Sequence, residues 1–528
     1  MKTLDTPLAE FLPGEDAPSL IAGFAATQTD RAALIQGDRV VTWHEMNEQI
    51  RRVAGALGAL GVGKGDRVAV LSRNSIEYSE TFIGILATGA CTVPLPTMAS
   101  SEALELMLRD SGSKVLIASS AYRELLAPFV DRLETLVPGG KIGFDFSGEG
   151  WRAFRSWSSE ADPDPPPVKI DRTDDFNIIY SSGTTGVPKG IVHNHAQRRT
   201  LYMGLRALGF DSHAVNLVST PLYSNTTITT WLPAICGGSA NVLMAKFDAA
   251  EALSLIEKHR VTHAMFVPVQ YDRFMRLDGF DQLDLSSMEW KFSTSAPLRA
   301  DLKRQLVDRF PGELVEFYGL TEGGISTMFL VNHYPDKLDS VGPAAPGFEI
   351  KVIDDQGREL APGMTGEIVG RGPSMMRGYL NREKATRDML WEDPERRLFF
   401  RSGDIGRMDE DGFIYLLDRK KDVIISGGLN VYATDLEMVL SLHEAVRDVT
   451  VVGIPSDEWG ETPLALVVLE PSARTSAEEL RAWANARLGK SHRISRVELR
   501  DELPKSDIGK VLKRELRDPY WKDTSRKI

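Results

Sequence analysis

Tyr180-Ser-Ser-Gly-Thr-Thr-Gly-Val-Pro-Lys-Gly190 decides how the rest of this chain is read. Two serines, two threonines, three glycines and one lysine fall within these eleven residues. The run that leads into it, Phe176–Tyr180 (FNIIY), predicts a short buried strand. A strand opening into a Gly/Ser/Thr loop with one lysine suits a phosphate group. Backbone N–H groups and hydroxyls can surround the oxygens while the lysine adds charge. Walker A sets glycine directly before its lysine, and Pro188 stands there instead, so this loop would hold phosphate in its own way. The plainer alternative is a flexible surface linker of the same composition.

The chain has 528 residues, more than one ordinary core needs, so at least two domains are expected. Hydrophobic residues make up 42% and charged residues 26%, as in a soluble globular protein. A net charge of −12 argues against a nucleic-acid partner, which would select a basic face. Two cysteines, Cys91 and Cys236, lie among apolar or small neighbours and read as buried free thiols. No disulfide framework or metal-ligand spacing is present, which points to a reducing, cytoplasmic setting. MKTLDTPLAEF is not a signal peptide, TSRKI is not a peroxisomal tripeptide, and no apolar run nears the ~18 residues of a membrane span.

Around the loop the pattern is layered α/β, with helices packed on sheets. Thr42 and Glu45 form a capping-box signature, and Met46, Ile50, Val53, Leu57 and Leu60 then recur at helical spacing. Gly61–Gly65 ends that helix, Arg67–Leu71 reads as a buried strand, and a helix near Ser79–Leu86 feeds a strand at Thr92–Leu95. Ala161–Val168 (ADPDPPPV) is an extended connector over the surface. From Phe348 the texture changes to short strands and turns, indicating a β-rich subdomain. Asp418-Arg-Lys-Lys-Asp422 then interrupts the apolar runs FIYLL and VIISGG. Beyond it lies enough strand and helix alternation for a small independent domain. The expected division is 1–419 and 420–528, with the charge cluster either a hinge or an ordinary solvated turn.

Four further motifs accompany the loop: Tyr318-Gly-Leu-Thr-Glu322, Phe400-Arg-Ser-Gly-Asp404, Tyr415–Asp422 (YLLDRKKD) and Leu503-Pro-Lys-Ser-Asp-Ile-Gly-Lys510. Each alone is commonly a turn or a solvated charge. Together, in this order, they resemble the acyl- and aryl-acid activating family of adenylate-forming enzymes, from about Thr42 to Arg514. The family includes acyl-CoA synthetases, peptide-synthetase adenylation domains and firefly-type luciferases.

That resemblance implies a role for each matching position. Thr184, Thr185 and Lys189 match the loop that holds the β- and γ-phosphates of ATP, with Ser181, Ser182 and Gly183 in the same loop. Tyr318 matches the residue stacked on adenine, and Ala296, Glu316, Phe317 and Gly319 join the nucleotide contacts. Thr321 matches the α-phosphate contact and Glu322 the Mg²⁺ carboxylate. Asp404 and Arg419 match the pair that binds the ribose hydroxyls. Lys510 matches the lysine bridging the acyl carboxylate and the α-phosphate, and Thr185, Glu322 and Lys510 together are the implied catalytic set. Lys421 falls at the hinge on which the C-terminal domain swings between adenylation and thioester-forming poses. The chemistry suits these residues: two anions must meet and pyrophosphate must leave, so positioning and charge neutralisation carry the step. The implied co-substrates are ATP and coenzyme A, with Mg²⁺ as cofactor.

The acyl pocket departs from the family pattern. Pro221-Leu-Tyr-Ser-Asn-Thr-Thr matches a segment usually written proline, aliphatic, aromatic, histidine; Ser224 stands at the histidine position, Thr226 and Thr227 replace glycines, and Tyr223 is the aromatic. Thr294 occupies another usual glycine, and Val267, Gln270 and Tyr271 are further pocket candidates unless they belong to a core strand. Either these side chains make a compact, hydroxyl-lined pocket or they fill neighbouring packing. No acidic residue lies between Pro221 and Lys246, which excludes an α-amino acid of the usual kind. Ser402 takes a usual threonine position and Ala433 a usual proline. Gly427 and Gly428 would let a pantetheine arm approach closely. His193 and His195 read as helix-entry or packing residues. The expected activity is an acid:CoA ligase acting on an aryl or short-to-medium acid, with a homo-oligomer left open. A carrier-protein-loading adenylating enzyme and a catalytically silent nucleotide-binding homologue are its rivals.

Overall fold

The computed structural model describes residues 14–181, 188–427, 429–489, 493–506 and 509–522. Two compact units emerge. The first comprises Met1–Asp339, Ala344–Glu349 and Gly370–Phe400, and the second Ser340–Pro343, Ile350–Val369 and Arg401–Ile528.

The first unit is built on two eight-stranded sheets. One runs in the order Phe329–Leu330, Glu313–Glu316, Trp290–Ser293, His263–Phe266, Val215–Val218, Ala240–Leu243, Ala32–Gln36, Arg39–Thr42. Its inner strands are parallel and its two edge strands antiparallel. The other runs Gly378–Tyr379, Lys189–Asn194, Asp175–Ser181, Cys91–Pro94, Arg67–Leu71, Val115–Ala118, Lys141–Gly143, Arg152–Ala153. The expected capping box forms: Thr42 Oγ1 accepts from Glu45 N, and Glu45 Oε2 accepts from Thr42 N at 2.8 Å. It starts the helix Trp43–Ala59, whose Met46, Ile50, Val53 and Leu57 are buried. Phe82, on helix Ile76–Ala87, meets Trp231, on helix Asn225–Gly237, edge to face at 5.2 Å. Their core cluster also takes Leu34 from the first sheet and Val68 and Val70 from the second. Each such fully buried side chain contributes about 1.5–3 kcal/mol.

The second unit carries most of a five-stranded sheet in which Ile414–Arg419 pairs antiparallel with Leu398–Met408. A further sheet orders Leu429–Val431, Ile424–Ser426, Gly460–Leu469 and Val446–Ser456, with Arg496–Leu499 parallel to Gly460–Leu469. Helices Ala433–Ser441 and Ala477–Asn485 cover it through Leu436, Leu440, Leu480 and Ala484. Arg419 and Lys420 both lie inside this unit. Strand pairing across Asp404–Arg419 gathers contacts there, whereas a hinge is a point of backbone rotation and need not be a contact minimum.

Cys91 and Cys236 are free and buried, and burial pushes both thiols well above their ordinary range. Among the described residues no helix is long and apolar enough to cross a membrane.

Candidate active site

Loops beyond the carboxyl ends of parallel strands are where open α/β sheets present ligand-binding groups. In the first sheet Phe266 is level with Ser293, and Ser293 with Glu316. The loops that follow therefore leave the sheet side by side, bearing Val267 to Gln270, Thr294 to Ala296, and Phe317 to Gly319. The strand Val215–Val218 lies next to them and leads into Pro221–Thr227. That segment is clamped by buried Asn74. Its amide donates to the Thr220 and Met244 carbonyls at 2.9 and 3.0 Å and accepts from Leu222 N at 2.8 Å.

The pocket candidates divide by what their polar atoms do. Ser224 caps the helix Asn225–Gly237, its hydroxyl accepting from Thr226 N at 3.1 Å. The Thr227 hydroxyl bonds the Pro221 carbonyl and lies 2.8 Å from the Thr220 hydroxyl. Gln270 accepts from Val267 N at 2.9 Å, capping its own helix Pro268–Met275, and Val267 is buried. Tyr223 and Thr294 are half-buried. Thr226 and Ser295 share a short hydroxyl–hydroxyl hydrogen bond. Ser295 has φ +79°, a strained conformation for a residue with a side chain, and the Thr226 bond helps hold it there.

Phe317 stacks on Phe292, with ring centroids 5.9 Å apart. Tyr318 and Thr321 are half-buried, Gly319 exposed and Ala296 half-buried. The Glu316 carboxylate is turned into the core, where it pairs with Lys303 at 2.6 Å. Burial pushes it up and Lys303 opposes that.

Ser181 and Lys189 face one another across the antiparallel strands that flank the phosphate-type loop. Ser182, Gly183, Thr184 and Thr185 lie outside the described residues, as does Gly428. Lys189 Nζ sits 5.2 Å over the ring of Tyr379. The Tyr379 hydroxyl donates to Glu322 Oε1 at 2.7 Å, and Met376 N donates to the Glu322 carbonyl, also at 2.7 Å. Gly378–Tyr379 itself pairs with Lys189–Asn194. One short segment therefore joins the lysine to the carboxylate. Burial first, and Glu322 second, push the phenol upward, so it remains a proton donor. Just after Glu322, Gly323 (φ +72°) has no room for a side chain: a Cβ would lie 2.0 Å from the Ser374 carbonyl oxygen.

Neither histidine faces a metal cluster; among the described residues no group of three or more metal-ligating side chains exists. His193 is buried, and burial first and Arg198 second hold it neutral. His195 opens helix His195–Gly204 and packs edge-on against Phe176 at 5.0 Å. Burial pushes it down to about 4.

In the second unit, Asp404 and Arg419 are cross-strand partners, and Arg419 Nε lies 2.6 Å from Asp404 Oδ1. Ser402 Oγ accepts from Asp404 N at 2.8 Å and donates to the Ile368 carbonyl at 2.7 Å, work that needs only a hydroxyl. Lys510 follows Gly509 (φ +74°), and its N–H donates to Ser506 Oγ at 3.2 Å. The residue is exposed at the surface. Although part of the residue reaches solvent, the fold crowded around its ammonium strips away hydration and pushes it down to about 8, with Arg419 and Lys421 adding to the shift and Asp404 and Asp422 opposing it. Ala433 N donates to Asp418 Oδ2 at 2.6 Å, a bond that proline could not make. Gly427 (φ +59°) is required from within the chain: a Cβ would meet Trp459 Cε3 at 2.8 Å, and Gly427 N donates to the Trp459 carbonyl.

Tyr379, Asn74 and Ser295 take part in these contacts, and Arg198 donates to Asn225 Oδ1 at 2.9 Å beside the pocket segment; the sequence reading singled out none of the five. Only Asn225, directly after Ser224, carried a local signal: a polar residue opening the helix behind the pocket segment.

Stacked, mostly parallel sheets with a small C-terminal unit define the fold of adenylate-forming enzymes, and the solved structure of ATP-bound MatB from Rhodopseudomonas palustris superposes with a TM-score of 0.85. It shares 26% identity, covering 96% of this chain and 99% of that one. The chain belongs to the AMP-binding enzyme family, matching it over residues 22–380 and its C-terminal domain over residues 435–510. A feruloyl-CoA synthase from an Amycolatopsis species is 33% identical over 92% of this chain and 95% of its own length. ScoC, a fatty acid–acyl-carrier-protein ligase of Streptomyces coeruleorubidus, is 30% identical, with 95% of each covered.

Proposed function

We propose that this protein is a cytoplasmic acid:CoA ligase that activates a carboxylic acid with ATP and passes the acyl group to coenzyme A. The observation that carries this reading is the family match over both domains, together with Thr321, Glu322, Asp404, Arg419 and Lys510 at the motif positions. The carboxylate attacks the α-phosphorus of ATP, forming the acyl-phosphate bond and expelling pyrophosphate. The thiol then attacks the acyl carbon and AMP leaves. In this reading Ser181 to Thr185 and Lys189 hold the β- and γ-phosphates, and Thr321 orients the α-phosphate. Tyr318, with Ala296, Phe317, Gly319 and the backbone at Glu316, receives adenine. Asp404 and Arg419 bind the ribose, and Lys510 offsets the charge where the two anions meet. Residues 420–528 move about Lys421, and Gly427 and Gly428 border the path of the thiol arm.

Glu322 fits a Mg²⁺ ligand. It is a single half-buried carboxylate with one oxygen held by Tyr379, and Mg²⁺ commonly takes one or two carboxylates beside phosphates and waters. Bound there, the ion would neutralise charge on the departing pyrophosphate. Tyr379 sets the orientation of the carboxylate. Tyr379→Phe should slow adenylate formation about 5- to 30-fold and raise the Mg²⁺ concentration needed for half-maximal rate, by loss of one hydrogen bond to a charged group. An unchanged Mg²⁺ dependence would remove Tyr379 from this role.

The acid is compact, aryl or short-to-medium chain. Tyr223, Ser224, Thr226 and Thr294 border the pocket, and Thr227, Val267 and Gln270 shape it through their backbone and packing contacts. Thr294→Gly should extend tolerance toward longer chains, read as kcat/KM along a homologous acid series; an unaltered profile would take Thr294 off the pocket wall. The test of the function as a whole is pyrophosphate release with ATP and Mg²⁺ across alkyl, aryl and hydroxycinnamic acids, with and without CoA. Turnover that yields an acyl-CoA supports the ligase. Pyrophosphate release without a thioester favours the second reading, carrier-protein loading, for which the relationship to ScoC speaks.

A further inference from the structure

Arg198 is 5% exposed, and each of its three guanidinium nitrogens meets a neutral group. Nε donates to Asn177 Oδ1 at 2.7 Å, Nη1 donates to Asn225 Oδ1 at 2.9 Å, and Nη2 lies 3.2 Å from His193 Nδ1. His193 is neutral, since burial and Arg198 itself hold it well below its ordinary range. No carboxylate among the described residues pairs with Arg198, and burial lowers it to about 9 with no acid opposing. A buried cation without a counter-charge is costly, and this one is retained directly behind the acyl-pocket segment.

The arrangement orients Asn225. A guanidinium only donates, so the Asn225 carbonyl oxygen must face Arg198 and the amide nitrogen must point away from it. Asn225 is half-buried, and its amide nitrogen makes no hydrogen bond among the described residues. It is the first residue of the helix Asn225–Gly237, whose first-turn N–H groups add positive potential, and it follows Tyr223 and Ser224. An unpaired donor, polarised from behind by an uncompensated positive charge, thus opens the helix that follows the candidate pocket residues Tyr223 and Ser224.

We propose that the acid activated here carries a second carboxylate, received by the Asn225 amide with Arg198 supplying the counter-charge behind it. This rests on the ligase reading and names its substrate class: a dicarboxylic acid. A neutral acceptor such as a methoxy oxygen could take the same hydrogen bond but would leave the charge uncompensated. An ammonium-bearing acid would be repelled.

The test compares matched acids on the wild-type enzyme: adipate with hexanoate, and terephthalate with benzoate and 4-methoxybenzoate, by pyrophosphate release with ATP, Mg²⁺ and CoA. The diacid of each set should be preferred by about tenfold or more in kcat/KM, the scale of a hydrogen bond to a charged group in a closed site. Asn225→Asp is nearly isosteric; it would neutralise Arg198 and repel the second carboxylate, so the preference should invert. Equal or lower kcat/KM for the diacids in the wild type would overturn the proposal, as would a methoxybenzoate that matches terephthalate. If no acid releases pyrophosphate, the ligase reading fails separately. The same pairs are then compared by the rise in Tm of the ATP-loaded protein: a larger rise with the diacids supports the anion site, and equal rises overturn it.

Discussion

Replacing Lys510 by alanine should lower adenylate formation by about 10²- to 10³-fold, the scale of one positioned charge-stabilising donor, or roughly 2.7–4 kcal/mol of barrier. Thioester formation from supplied acyl-adenylate should be largely spared, because the phosphoryl step is then already complete. The two half-reactions are measured separately, as pyrophosphate exchange and as CoA thioester from the preformed adenylate. Equal loss of both would mean that Lys510 holds the domain together and does not act in the first step. Its surroundings add a pH signature. Lost hydration, with Arg419 and Lys421, pushes the ammonium down to about 8, so it is half charged there, mostly charged about a unit below and mostly neutral about a unit above. The kcat/KM for adenylation, which reports the free enzyme, should therefore fall as pH rises through about 8. Arginine does not titrate there, so any residual activity of Lys510→Arg should lack this alkaline limb.

What could be read before the structure was what is local. Thr42 and Glu45 lie three residues apart, and the box they form follows from chain geometry alone. The strand ahead of the phosphate-type loop was equally legible, because a short apolar run before Gly and Ser has few alternatives; it extends by one residue at each end, to Asp175–Ser181. Long-range pairing was not. Tyr379 lies 57 positions from the carboxylate it orients, and nothing in its own surroundings announces Glu322. Asn74 clamps a segment nearly 150 positions away. Arg198 sits beside Arg199 in the sequence, yet Arg199 turns to Glu15 while Arg198 is enclosed by Asn177, Asn225 and His193. Substitutions relative to the family pattern could be located but not explained from the sequence: it takes the Asp418 carboxylate to show why an N–H, and so a residue other than proline, is useful at position 433, and the Asp404 N and Ile368 carbonyl to show that a hydroxyl suffices at 402. Gly427 was read for a ligand's approach, and the tryptophan of its own chain already accounts for the missing side chain.

Proline at position 421 should do the opposite of alanine at 510. In the described backbone Lys420 N donates to the Gly403 carbonyl, and Asp422 N and Val423 N both donate to the Arg419 carbonyl, whereas no such bond is made by Lys421 N. Proline there would take no hydrogen bond from its own nitrogen, but it restricts residue 420 as well as 421 within the turn that the Arg419 carbonyl closes, and so also loads the Asp422 and Val423 bonds. Rotation of residues 420–528 about this point is what the proposed switch to thioester formation demands, and a locked φ opposes it. Lys421→Pro should therefore retain pyrophosphate exchange while slowing transfer from supplied acyl-adenylate to CoA by more than about tenfold, or ~1.4 kcal/mol of added barrier. Arg517 reaches the Lys421 carbonyl at 3.4 Å, which proline keeps, and a thermal melt of the variant tells a strained turn apart from a locked hinge. An unchanged thioester rate would move the hinge away from Lys421, and the strand pairing between Asp404 and Arg419 would then place the next rotatable bonds at Asp422 and Val423, ahead of strand Ile424–Ser426.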